Sequence, residues 1–258
     1  MSNTTFVRQG PGHFVLTLNG QAHSLTFPAE GNLESIVIKT LGGQEYVPLH
    51  LPGWKPELIV DVGANVGATS IFFALCFPDA KIESFEPSES TFSHLRSNTS
   101  WLPNIRIHPV GLFNRDAEVP LYAGVTQCAQ ASMSRSVETR VEPSEVIRLV
   151  SARQAIPEPT GPAILKIDTE GCEVPILHDL GERVQAFDVV YVEWHSERDR
   201  RQIDRLLGTA FSVWKTTASG VHRGTAAYIH QRVIDAHPRL GILEIPAVVV
   251  EPALAHTG

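Results

Sequence analysis

Cysteine is scarce in this chain: Cys76, Cys128 and Cys172 are widely separated and odd in number. With no Cys-x-x-Cys pair they exclude a disulfide framework and a structural zinc site. They fit a reducing cytosol, each as a small buried hydrophobe. Long apolar runs are missing too, none reaching the ~18 residues a membrane span needs. The start, "MSNTTFVRQGPGHF", has no basic segment leading into an apolar one. The expectation is a cytoplasmic chain with no signal peptide and no membrane partner. Positive charge is in deficit, with 21 Lys and Arg against 28 Asp and Glu and a net charge of -7. That sign argues against nucleic acid as a partner and favours a small molecule. There is no internal repeat and no low-complexity tract.

What is present falls into two patterns. Up to residue 53, apolar and polar residues alternate. "HFVLTLNGQAHSLTF" has period two about Asn19-Gly20, which predicts a β-hairpin. "ESIVIKTL" is either a short strand or a helix, and "HLPGWKPE" is a connection into the main domain. From residue 54 onward strands alternate with helices. "ELIVDVG", "KIESFEP", "NIRIHPVGLF", "AILKIDTEG" and "DVVYVEWHS" are the strands. "TSIFFALCF", "SESTFSHLRSNTS", "EVPILHDLG" and "RDRRQIDRLLG" are the helices, the last with a solvated charged face. "VPLYAG" predicts a local β-excursion, and residues 126–162 an active-site flap or an insertion. "FSVWKT" and "TAAYIHQ" close the sheet as a final antiparallel pair. Such alternation predicts an α/β fold, a mostly parallel sheet covered on both faces. Its ligand binds outside the carboxyl ends of the strands, at the topological switch point.

The first constellation to fall there is Asp61-x-Gly63-x-Asn65-x-Gly67, between a strand and a helix. The glycines permit a sharp turn and close approach of a ligand. Glu86 ends the next strand, at the ~20-residue spacing that suits a carboxylate gripping a ribose diol. A tight turn with a solvent-facing carboxylate is the bland alternative. NAD and S-adenosylmethionine both carry that ribose, but the turn separates them. A dinucleotide fingerprint needs a middle glycine to admit pyrophosphate, and Asn65 stands in its way. S-adenosylmethionine has no phosphate. Asp61 offers an acceptor to its amine, and the following helix start offers donors to its carboxylate. The balance favours S-adenosylmethionine.

The second constellation ends the later strands. Lys166 and Asp168 share a sheet face, with Glu170 at the exit; Tyr191, Glu193 and His195 share a face likewise. Charges in a buried sheet are costly unless paired or used by a ligand. Either Lys166–Asp168 and Glu193–His195 merely satisfy each other, or they gather around one crevice and handle protons. His195 is the first candidate base, since its unperturbed pKa lies near neutrality, and Asp168 the second. A divalent metal on Asp168, Glu193 and His195 is a rival, but no His-x-His or His-x-x-x-His spacing supports it, and no metal is expected.

With these blocks in hand, "DVGANVG", "FEPS", "LKIDTEGCEVPIL" and "VEWH", the chain resembles the FkbM family of S-adenosylmethionine-dependent methyltransferases. The resemblance covers residues 58–196. Its specific part is Lys-x-Asp-x-Glu-Gly-x-Glu; the glycine turn is common to the wider superfamily. It implies a Rossmann-like class I methyltransferase domain over 54–258 after a β-rich segment over 1–53, acting on hydroxyls of sugars or specialised metabolites. By that resemblance Asp61, Gly63, Asn65, Gly67 and Glu86 bind the cofactor, with Asp168 beside it. Asp168, Glu170 and His195, with Lys166 and Glu193, line the reaction site. Thr169 and Cys172 depart mildly from the family's usual valine and alanine. Methylation of a protein or other nucleophile, NAD-linked oxidoreduction, and a non-catalytic adenosine-binding module are the alternatives. The acceptor and the oligomeric state are left open.

Overall fold

The computed structural model describes residues 4–29, 31–49, 51–121, 144–237 and 249–250. The period-two start becomes an antiparallel ribbon of β1 (Thr4–Gly10), β2 (His13–Leu18) and β3 (Gln21–Thr26), with β14 (Val249–Val250) parallel to β1. Leu18 faces Gln21 across a two-residue turn, and Asn19 and Gly20 both take positive φ, 51° and 80°. That is the backbone a type I′ hairpin demands. β1 adds a strand to the predicted hairpin, stacking Phe6 on Phe14 at 4.3 Å between centroids. "ESIVIKTL" resolves as helix α1 (Leu33–Leu41), with Glu34 in its first turn and Lys39 in its last, as the helix dipole favours. Gly42–Gly43 ends it, Gly43 at φ 68°.

The main sheet holds β4 (Leu58–Val62), β5 (Lys81–Phe85), β6 (Ile105–His108), β10 (Ala163–Ile167), β11 (Val189–Trp194), β12 (Phe211–Gly220) and β13 (Arg223–His230). Its order is β12-β13-β11-β10-β4-β5-β6, parallel from β11 to β6 and antiparallel at β13 and β12. Helices α2 (Ala68–Cys76), α3 (Glu89–Thr99), α5 (Glu173–Leu180) and α6 (Glu197–Leu207) follow β4, β5, β10 and β11. A short helix, α4 (Ala152–Ala155), precedes β10, and α7 (Gln231–Ala236) follows β13.

Alternation along the strands sorts the core into two layers. Val60, Val62, Leu165, Ile167, Val190 and Val192 pack with Ile176, Leu177 and Leu180 of α5. Ile59, Ile82, Ile164, Val189 and Tyr191 pack with Ile71, Phe72 and Phe73 of α2, and with Phe6, Phe14 and Leu16 of the ribbon. The ribbon therefore shares a core with the sheet, each fully buried Phe or Leu there contributing about 1.5–3 kcal/mol. Polar anchors complete the join. Asn98 of α3, fully buried, donates to Thr26 O and Val66 O at 2.8 Å each and accepts from Thr26 N–H. Trp54 Nε1 donates to Asp188, which also accepts from Arg232.

One sequence expectation needs correction. "NIRIHPVGLF" is not one strand. Pro109 cannot donate to a ladder, and the chain breaks there into β6 and β7 (Gly111–Phe113), which joins a separate sheet. In that sheet β9 (Glu145–Ser151) pairs parallel with β7 and antiparallel with β8 (Ala117–Leu121), the expected excursion. β9 and α4 occupy part of the stretch expected as flap or insertion; residues 122–143, with Cys128, lie outside the described residues. Among the described residues no helix is long and apolar enough to cross a membrane.

The strand order reverses between β4 and β10, so their carboxyl ends open the crevice where a ligand binds.

Candidate active site

The glycine turn sits at that crevice. Gly63 and Ala64 donate backbone N–H groups to Phe85 O at 3.0 and 2.9 Å, tying the turn to β5. Gly63 takes φ 75°, and a Cβ there would lie 1.8 Å from Asp168 O. Gly67 takes φ 92°, and its missing side chain makes room for Leu95 and Thr99 of α3. At both glycines neighbouring chain fills the space a Cβ would take. Asn65, at φ 51°, turns its Oδ1 back to accept from Val66 N–H at 2.8 Å. Its own N–H goes to Glu86 Oε2 at 3.0 Å, while Glu86 Oε1 accepts from Ser88 N–H. Burial pushes the Glu86 carboxyl up to about 7, against the pull of those two N–H donors.

A cavity of about 370 Å³ opens beside the turn. One end is a slot of Phe85, Pro87, Leu112, Leu121, Ile147 and Leu149 next to Glu86. Past Asn65 and the α2 start, Ala68 and Thr69, the other end is walled by Asp168, Glu170, Glu193 and Arg223, and by Glu45 and Tyr46 near α1. Gly67 offers α2 no side-chain cap, so the first-turn amides suit an anionic group.

Register explains the charged end. Lys166 lies between Asp61 of β4 and Tyr191 of β11. Its Nζ is 3.0 Å from Asp61 Oδ1 and donates to Gly63 O at 2.7 Å and Val62 O at 3.2 Å. Asp168, the partner expected from spacing, is farther, at 3.9 Å. Asp61 is fully buried, its second oxygen accepting from Ser70 Oγ at 2.6 Å. Asp61, the acceptor expected to face the cofactor amine, is thus turned toward Lys166 and Ser70. Asp61 acts on the site through Lys166, and the cavity wall does not include it.

Asp168 does face the cavity. It accepts from Tyr46 OH at 2.9 Å and from the Glu193 carboxyl. Burial works against its charge, but Lys166, Glu193 and Tyr46 together hold it below the usual carboxylate range. Burial and the charge of Asp168 push Glu193 up to about 10, so Glu193 keeps its proton at neutral pH. Arg223, the first residue of β13, donates to Glu193 at 2.8 Å and to Glu170 at 2.7 Å. Glu170 takes φ 56° and Gly171 φ 111°. That strained loop is held by Glu173, which is 2% exposed and accepts from Thr169 N–H and Gly171 N–H at 2.8 and 3.1 Å.

His195 is brought to this cluster but not to the cavity wall. Its ring nitrogens lie 3.4–3.8 Å from Glu193, Glu173 and Glu170. Burial lowers its pKa, but Glu173 and Glu170 outweigh that and leave it raised. Glu170, Glu193 and His195 have ligand atoms within 4.8 Å of one another, as a metal would require. Arg223, however, already bridges the two carboxylates as a built-in cation. Tyr46, Glu45, Arg223 and Glu173 were not foreseeable as site residues. Only Glu173 stands in a readable motif, as the last member of Lys-x-Asp-x-Glu-Gly-x-Glu.

Comparison with known proteins gives this geometry a lineage. The profile of the methyltransferase FkbM domain matches residues 61–231. A hexuronic acid methyltransferase of Haloferax volcanii is 26% identical over 163 residues, 60% of this chain and 63% of that protein. Methyltransferase 1 of Beauveria bassiana is 27% identical over 159 residues, 53% and 64% of the two chains. The chain thus spans less than two thirds of these curated relatives. The crystal structure of an FkbM methyltransferase from Methylobacillus flagellatus superposes with a TM-score of 0.53 at 16% identity, covering 74% of this chain and 48% of that one, and shows the shared fold. A methyltransferase match sets aside NAD-linked oxidoreduction. With a class I sheet, its switch-point crevice and the matched motifs in place, the chain belongs to the FkbM family of methyltransferases.

Proposed function

We propose that this methyltransferase uses S-adenosylmethionine to methylate a hydroxyl of a neutral, sugar-like acceptor. The observation that carries the reading is one continuous cavity with Glu86 at one end and Asp168 at the other. The residues fit the cofactor. The apolar slot suits adenine, Glu86 has lone pairs left for a ribose diol, and the uncapped α2 start suits the carboxylate. When bound, S-adenosylmethionine supplies a methyl group already electrophilic on its sulfonium.

The protein must then align the acceptor oxygen, exclude water and take a proton. Alignment contributes up to ~7–11 kcal/mol and a positioned base ~10²–10⁴-fold. Asp168 is the base in this reading: it is ionised, faces the cavity and is held by Tyr46 and Glu193. His195, off the wall and set among Glu170, Glu173 and Glu193, supports that cluster instead. The acceptor's sign follows from the lining. At the reaction end the acidic side chains Glu45, Asp168 and Glu170 outnumber Arg223, with Glu193 neutral and Lys166 paired with Asp61. A carboxylate acceptor is repelled there, whereas carboxylates and Arg223 pair well with ring hydroxyls. The relative named a hexuronic acid methyltransferase supports a sugar-like acceptor; that acceptor is an acid sugar, which the acidic lining here disfavours.

The test is tritiated S-adenosylmethionine with neutral methyl pyranosides, uronates and peptides. Label should enter the neutral glycosides as an alkali-stable ether. Transfer only to uronates as an alkali-labile ester, or only to peptides, would overturn the acceptor class.

Glu86 adds a pH signature. Its carboxyl, near 7 in the free protein, accepts from ribose hydroxyls more strongly and at both oxygens when ionised. Cofactor affinity should be full above about pH 7 and fall below it, by up to ~10-fold per pH unit. Calorimetry from pH 5 to 8 checks this, and Glu86→Gln should flatten the slope. A wild-type affinity independent of pH would remove Glu86 from the clamp.

A further inference from the structure

The matched methyltransferase domain begins at Asp61, yet an earlier segment delivers a side chain to the reaction end of the cavity. Tyr46 is 2% exposed, and its hydroxyl donates to Asp168 Oδ2 at 2.9 Å. The ring is fixed on several sides. It meets Tyr191 edge-on at 5.7 Å and Phe73 at 6.2 Å, and Lys166 Nζ lies 5.9 Å from its centroid. The next residue is pinned as well, since Tyr191 OH donates to Val47 O at 2.5 Å. Upstream, Gly43 N–H and Gln44 N–H close the α1 end onto Thr40 O and Lys39 O, and Thr40 Oγ1 donates to Glu45 at 3.1 Å.

A buried tyrosine needs some acceptor, and a backbone carbonyl would satisfy it, as Val47 O satisfies Tyr191. Tyr46 instead takes the carboxylate that faces the cavity, where a charge-assisted bond is short and directional. Burial, with Asp168 and Glu45 nearby, holds the phenol well above its ordinary range. It is therefore a permanent donor. It occupies one lone pair of Oδ2 and fixes the plane of the carboxylate, leaving other lone pairs for Glu193 and the cavity.

We propose that Tyr46 is a positioning residue of the methyl-transfer site, orienting Asp168 toward the acceptor hydroxyl, so that the N-terminal segment completes the active site. This role rests on Asp168 being the group that takes the acceptor's proton.

Tyr46→Phe keeps the ring and removes the hydroxyl. Turnover on the best neutral methyl pyranoside should fall ~10-fold or more, as loss of a hydrogen bond to a charged group implies. The Kd for S-adenosylmethionine by calorimetry should stay within about twofold of wild type, because the Glu86 end is untouched. With one donor gone, the Asp168 carboxyl should titrate at higher pH, and the acid limb of the rate–pH profile should move with it. ¹³C-aspartate NMR reads the first shift without any ligand. Tyr191→Phe, which also loses a buried hydroxyl, should lower the melting temperature and leave the Asp168 titration in place. If Tyr46→Phe lowers only the melting temperature, with turnover, acid limb and Asp168 titration at wild-type values, Tyr46 is structural and the proposal fails. A wild-type chain that binds no S-adenosylmethionine overturns the methyl-transfer reading and this role with it. A binding-competent Tyr46→Phe with normal turnover overturns this role alone.

Discussion

Replacing Lys166 by methionine is expected to destabilise the protein by about 3–5 kcal/mol, a large part of a typical domain's stability. The ammonium is 1% exposed and has three protons to donate. Gly63 O and Val62 O accept from it, and Asp61 Oδ1 lies 3.0 Å away as its ion-pair partner. Methionine fills a similar volume but leaves two carbonyls without that donor and a fully buried carboxylate held by Ser70 alone. An uncompensated buried charge is the dominant cost. Adding Asp61→Asn to Lys166→Met removes that charge and should recover much of the loss, so the double variant should be more stable than the sum of the singles. Urea unfolding of all four proteins measures the coupling. A cost below about 1 kcal/mol for Lys166→Met, or strict additivity, would mean that the pair does not hold the turn. The same contacts make Lys166, placed among the catalytic candidates by its spacing, a tie between β10 and the glycine turn.

Local patterns made the sheet legible. Period-two runs marked the hairpin, and apolar strands followed by helices marked the parallel sheet with its antiparallel close. Asn19-Gly20 named its turn because only that backbone needs two positive φ values. β9 was hidden because its inward side chains, Ile147, Leu149 and Ser151, alternate with Val146, Arg148 and Val150, which leaves no clean apolar–polar period. In the site, Glu86 and the Lys166–Glu170 run were visible because strand ends converge by topology. What spacing could not reveal was pairing. Lys166 has carboxylates on both sides, and only cross-strand register decides that Asp61 is nearer than Asp168. Likewise His195 reads as a base by its ordinary pKa, whereas the carboxylates around it are contributed by a separate loop. Tyr46 reaches Asp168 across 122 residues of sequence. No local motif encodes such a contact.

That convergence makes Asp168→Asn the sharper functional test. Turnover should fall by ~10²–10⁴, the usual contribution of a positioned base, while the Kd for S-adenosylmethionine stays within a few-fold of wild type. Asparagine is isosteric but cannot take a proton, and its amide meets neighbours that are already donors. Tyr46 OH and the Glu193 carboxyl both point protons at this side chain, so one of them must give up its bond. Fold and cofactor clamp should survive, because Lys166 retains Asp61, Gly63 O and Val62 O, and Glu86 lies at the other end of the cavity. His195→Ala is the matched comparison. With its ring among Glu170, Glu173 and Glu193 and off the cavity wall, its loss should cost less than about tenfold. The two variants answer in opposite directions if the assignment is wrong. Should Asp168→Asn keep its turnover while His195→Ala loses it, the proton leaves through the imidazole, and the carboxylate held by Tyr46 serves only to shape the wall.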